Sequence, residues 1–99
     1  MSDERRSNER KIVNLVAKWD SLSGTYEAKL EDISLSGCFI NTTGLADRDE
    51  VMNLEVLLPS GEWLAFSGQV TTCQPGIGFG VVFSSLTEEQ KQAIEKLCS

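Results

Sequence analysis

No histidine occurs among the 99 residues. That removes the commonest general base, the commonest metal ligand, and the Ser-His and Cys-His nucleophile pairs together. H-E-x-x-H goes with it, and neither a Walker-type loop nor a G-x-G-x-x-G ahead of a helix is present. The chain is therefore expected not to be an enzyme. Cysteine is scarce as well. Cys38, Cys73 and Cys98 are an odd number with no C-x-x-C pair, which argues for free thiols in a reducing cytoplasm over a disulfide frame or a metal site. Long apolar runs are missing: none approaches the roughly 18 residues of a membrane span. The charged start MSDERRSNERK has no apolar segment behind it, so a cytoplasmic location without membrane insertion is expected.

Positive charge is the next shortage. The net charge is −6, which opposes general nucleic-acid binding, because that needs many cations to displace counterions. The deficit is uneven. Residues 1–18 hold Arg5, Arg6, Arg10, Lys11 and Lys18 against three acids, whereas the remainder holds four cations against twelve acids. A cationic arm on an acidic body suits a small anion better than a long polyanion.

What is present is the period of the β-strand. Ninety-nine residues with 40% hydrophobic content make one domain with a single core. Residues 1–10 are polar without interruption and read as a flexible arm. Val13, Leu15, Ala17 and Trp19 then alternate with mostly polar neighbours, and DSLSG closes that run as a turn. Tyr26, Ala28 and Leu30 continue the alternation in a second strand, and CFINT supplies a short third. Met52, Leu54, Val56 and Leu58 share a face before the turn PSGE. Leu64, Phe66 and Val70 share the next, with Gly68 a bulge or close-contact site. QPG leads into Ile77, Phe79, Val81 and Phe83, the most strongly alternating segment. The period then changes: Thr87 and Gln90 form a capping box, and Ala93, Ile94 and Leu97 fall on one helical stripe. Residues 11–84 thus read as a small antiparallel barrel or half-open sandwich, and 87–98 as a C-terminal helix laid on it. Trp19 and Trp63 read as barrel packing. GIGFG, lying within a strand, reads as curvature and not as a phosphate loop.

One break in the pattern is informative. After Tyr26, Ala28 and Leu30 the parity flips, and the next apolar residues are Ile33 and Leu35. Without the flip, Asp32, Ser34 and Ser36 would point into the core, at a high desolvation cost. The chain must bulge here, with Ile33 and Leu35 as anchors and Asp32, Ser34 and Gly37 turned to one patch of surface.

Those three residues form D-x-S-x-x-G, and Arg6 and Arg10 form R-x-x-x-R with Arg5 in front. Guanidinium is a planar fork of donors that binds phosphate bidentately, grips the O6/N7 edge of guanine and stacks on purines. A carboxylate supplies the acceptors arginine lacks, for the N1–H and N2–H groups of guanine. Serine adds a short hydroxyl, and glycine lets backbone approach a flat ring closely. Together these groups suit a ligand carrying both phosphate and guanine. Each piece alone has an ordinary reading: R-x-x-x-R as a solvated charge run, D-x-S-x-x-G as a turn.

The combination resembles the PilZ domain family, which binds the bacterial second messenger cyclic di-GMP. The similarity runs from Arg5 to Leu97: RRxxxR, the strand KIVNLVAKW, the block DISLSGCFI, the hairpin LPSGEWLAFSGQV, and GIGFGVVFSSLTEEQKQAIEKL as closing strand and helix. The resemblance implies a mainly β fold, a six-stranded antiparallel barrel with an N-terminal arm and one C-terminal helix, as a single domain over 1–99. It implies that Arg6 and Arg10 grip phosphates and guanine Hoogsteen edges, and that Asp32, Ser34 and Gly37 contact guanine. Arg5 occupies a position linked in that family to binding one ligand or an intercalated pair. Cys38 departs from the larger or apolar residue common after the glycine. No cofactor beyond cyclic di-GMP itself is implied. A stand-alone receptor, monomer or dimer, that signals to an unidentified downstream protein is the expected function. A ligand-independent adaptor and a small-barrel nucleic-acid binder are the alternatives, the latter disfavoured by the acidic body.

Overall fold

Strict alternation gives a strand one apolar face, and a set of such strands buries that face most completely by curling into a closed sheet. The structure, a computed structural model, describes residues 10–21, 24–43 and 46–98. Its strands are β1 (Lys11–Ser21), β2 (Gly24–Ile33), β3 (Gly37–Asn41), β4 (Val51–Leu57), β5 (Trp63–Gln74) and β6 (Gly78–Phe83), followed by the helix α1 (Glu88–Cys98). They form a closed antiparallel barrel in the order β1-β2-β3-β6-β5-β4. Closure runs through Ala17 opposite Val56, Lys18 opposite Glu55 and Trp19 opposite Leu54. Among the described residues no helix is long and apolar enough to cross a membrane.

The inward faces match the alternation. β4 buries Met52, Leu54 and Val56; β5 buries Phe66 and Val70; β6 buries Phe79, Val81 and Phe83. Each fully buried side chain of this size contributes about 1.5–3 kcal/mol through apolar area removed from water. Aromatic rings meet at the centre: Phe66 stacks on Phe83 at 5.0 Å between centroids, and Trp19 meets Phe79 edge-on at 5.2 Å.

Three expected inward positions lie outside the core, the first being Tyr26, 39% exposed near the start of β2 with its ring stacked on Trp19 at 5.8 Å between centroids. Trp63 is 39% exposed, with the Lys18 ammonium 4.1 Å from its ring centroid. At the start of β5 its side chain stands on the outer face, where a cation–π contact replaces packing. Ile77 is 54% exposed because β6 begins one residue later, and Ile77 belongs to the turn closed by its N–H on the Gln74 carbonyl at 2.9 Å. Gly68 is a close-contact site: a Cβ there would lie 2.6 Å from both Val81 Cγ1 and the Val82 carbonyl. The β5 bulge falls three residues on, at Thr71, between the pairs Val70–Val81 and Thr72–Gly80.

The helix begins as its capping box dictates. Gln90 N–H donates to Thr87 Oγ1 at 3.1 Å, and Thr87 N–H donates back to Gln90 Oε1 at 2.7 Å. Gln90 Nε2 also donates to the Ala65 carbonyl at 2.6 Å, tying the helix start to β5. Ile94 is fully buried, while Ala93 and Leu97 are half-buried beside it. Thr87→Ala is expected to cost about 1 kcal/mol, a fall of roughly 4–8 °C in the thermal midpoint by circular dichroism.

Candidate ligand-binding site

The parity flip is built by a bulge on β2. Leu30 pairs with Ile40 and Asp32 with Phe39, which leaves Glu31 as the extra residue against β3. A second irregularity faces it on β1, where Ile12 pairs with Asp32 but Leu15 with Leu30. The outcome is Leu30 and Ile33 both fully buried with Asp32 between them on the outer side. Leu35 packs half-buried against the core, so both expected anchors hold.

Asp32 and Arg10, 22 residues apart, are joined directly. Arg10 Nη1 donates to Asp32 Oδ1 at 2.7 Å, with the side chains 52% and 21% exposed. This charge-assisted bond brings the last arginine of R-x-x-x-R onto the first residue of D-x-S-x-x-G. Arg5 and Arg6 lie outside the described residues.

Ser34 is placed differently from expectation: its side chain is fully buried. Alternation stops at Ile33, and residues 34–37 form the tight β2–β3 turn, closed by the Ser34 N–H on the Gly37 carbonyl at 2.8 Å. The Ser34 hydroxyl is folded into that turn. It accepts from the Ser36 N–H at 3.2 Å and pairs with Ser36 Oγ at 2.9 Å. Such local side-chain bonds are what serine offers a turn. Gly37 is also buried, and a Cβ added to it would overlap the Val81 carbonyl oxygen and lie 3.1 Å from Val82 Cα. Its side-chain-free surface is thus required by β6 itself.

Cys38, next in sequence, faces the barrel interior. Burial, reinforced by the negative charge of Asp32 and opposed by Arg10, pushes its thiol up to about 12. It remains a neutral packing group at physiological pH. Cys73 is exposed on β5 and Cys98 lies at the helix end, where its Sγ is 3.8 Å from the Ile33 carbonyl. None of the three is joined in a disulfide.

A groove of about 950 Å³ lies elsewhere, between the β4–β5 turn and α1. None of Arg10, Asp32, Ser34 or Gly37 lines it, and its charged walls are Glu62, Glu89 and Lys96. That surface is poorly matched to a dianion. The convergent donors and acceptors lie instead on the open outer face at the start of β1 and the end of β2.

One residue of this face escaped the sequence reading. Phe39 pairs with Asp32 across β2–β3 and with Gly80 across β3–β6. The inward Cys38 and Ile40 on either side are the signal that puts it outside, beside the carboxylate.

Comparison with known proteins follows this geometry. No curated protein matches the chain. Among solved structures it is similar to the inhibitor of motility (MotI/DgrA) of Bacillus subtilis, with TM-score 0.77 and 18% identity over 95% of this chain and 49% of that one. It therefore spans about half the length of that protein. It is also similar to the PilZ domain of CeSA from a cellulose-synthesizing bacterium, with TM-score 0.66 and 16% identity over 91% of this chain and 94% of that one. At these identities the likeness is one of fold. The PilZ domain model matches residues 4–99, nearly the whole sequence and both motifs with it. This chain belongs to the PilZ domain family.

Proposed function

We propose that this chain is a receptor for cyclic di-GMP that signals to a partner protein through the surface the ligand reorganises. The observation that carries the reading is the 2.7 Å bond between Arg10 and Asp32, which joins the two ligand-type motifs at one point of the barrel. In this reading Asp32 accepts from the guanine N1–H and N2–H edge, while Arg10 and Arg6 take phosphate oxygens and the O6/N7 edge. Arg10 has to share its carboxylate with the ligand, so it is already held where the ligand arrives. The expected arm of residues 1–10 lies, apart from Arg10, outside the described residues, and its closing over the docked ligand is part of this proposal. The buried Ser34 and Gly37 act on the ligand by shaping the turn that holds Asp32 in place.

The structural neighbours are an inhibitor of motility and a domain of CeSA from a cellulose-synthesizing bacterium, proteins in which the fold serves a larger process. A partner protein in such a process is proposed here.

Each charge-assisted arginine contact contributes about 1.5–3 kcal/mol. Titration calorimetry of Arg6→Ala, Arg10→Ala and Asp32→Ala should accordingly show affinity reduced roughly ten- to a hundred-fold in each. Wild-type affinity in all three would reject the site.

A further inference from the structure

Of the four phenylalanines, Phe66, Phe79 and Phe83 are core residues. Phe39 is half-buried and is neither in the core nor among the apolar residues packed against it. Its ring lies along the outer side of β6, over two glycines. A Cβ on Gly78 would come within 2.8 Å of Phe39 Cε2, and one on Gly80 within 3.8 Å of Cδ1. The ring thus occupies the space a Gly78 side chain would take and lies in contact range of one at Gly80. The ring lies against the strand, and half-burial leaves part of it toward solvent.

The cross-strand partner of this ring is Asp32. Directly opposed residues hold their Cβ atoms about 4.5–5.5 Å apart, so carboxylate and ring lie side by side on the same outer surface. Two apolar neighbours are also open there, Ile12 at 80% and Val82 at 47% exposure, Ile12 pairing with Asp32 and Val82 with Gly37. A flat apolar ring next to a hydrogen-bonding carboxylate and an arginine is the combination that recognises a purine by face and edge at once. We propose that Phe39 is a specificity-determining residue of the site, the platform on which one guanine stacks while Asp32 reads its edge. Gly78 keeps the platform low: a Cβ there would press on the ring, while one at Gly80 would only touch it.

This assignment rests on the cyclic di-GMP reading, and its test separates the two. Cyclic di-GMP is titrated into wild type, Phe39→Leu and Phe39→Tyr. Leucine still covers the glycines but has no π face. Affinity should fall about five- to fifty-fold for Phe39→Leu and stay near wild type for Phe39→Tyr. In the wild-type complex, NMR should show a nuclear Overhauser contact between the Phe39 ring protons and a guanine H8, a readout that needs no variant to fold. Wild-type binding with unchanged Phe39→Leu affinity and no such contact would overturn the platform and leave the receptor reading standing. Absence of wild-type binding would overturn the receptor reading and this assignment with it.

Discussion

Gly37→Ala is expected to lower the thermal midpoint by more than about 10 °C. The added methyl would overlap the Val81 carbonyl oxygen, and Val82 Cα stands 3.1 Å away. Both are backbone atoms of a paired strand: Gly37 faces Val82 and Cys38 faces Val81 across the β3–β6 ladder. A rotating side chain could relieve such an overlap cheaply; a ladder cannot. Overpacking in a well-packed interior costs typically 1–3 kcal/mol, and a rigid backbone on one side places this case at the upper end. In a domain this small that is a large share of total stability. A circular dichroism melt decides it, and a midpoint within about 2 °C of wild type would mean that β3 and β6 move apart easily. The consequence for binding experiments is direct. A Gly37 variant that loses cyclic di-GMP loses it through the fold, so it is no measure of ligand contact.

The arm half of the site should respond in the opposite way. Replacing Arg6 and Arg10 together by alanine is expected to weaken cyclic di-GMP binding by about a hundred- to ten-thousand-fold if the two contacts add. The melting curve should hardly change. Arg10 is half exposed and its pair with Asp32 is a surface one, of the kind that contributes from nothing to about 1 kcal/mol. Equilibrium titration and a melt on the same preparation separate the effects. Comparable loss of stability and affinity would make the arginines structural, contrary to the proposal.

These contrasting responses show where the sequence could be read and where it could not. The flip between Leu30 and Ile33 was legible because a strand has period two, and burying Asp32 unpaired would be prohibitive. The structure answers with the Glu31 bulge. The helix start was legible because Thr87 and Gln90 satisfy each other's backbone donors locally. Ser34 was not legible. Parity counting holds only inside a strand, and the hydroxyl turned inward once the chain left β2 and could bond Ser36. Ile77 failed for a related reason: it precedes β6, so alternation does not fix its direction, whereas Trp63 lies outside because alternation with the inward Leu64 and Phe66 puts it there. Gly37 was read for its freedom to approach a ligand, whereas the partner it approaches is β6. That contact joins residues far apart in sequence, which no local pattern can reveal.

Calorimetric titration of cyclic di-GMP into the wild-type chain, with cyclic di-AMP as comparison, tests the central claim most directly. The account predicts saturable heat with cyclic di-GMP and little with cyclic di-AMP. Guanine offers the Asp32 carboxylate two adjacent donors, N1–H and N2–H, whereas adenine offers N6–H2 beside an N1 lone pair that repels it. No heat with cyclic di-GMP at millimolar concentration, or equal heat from both nucleotides, would contradict it.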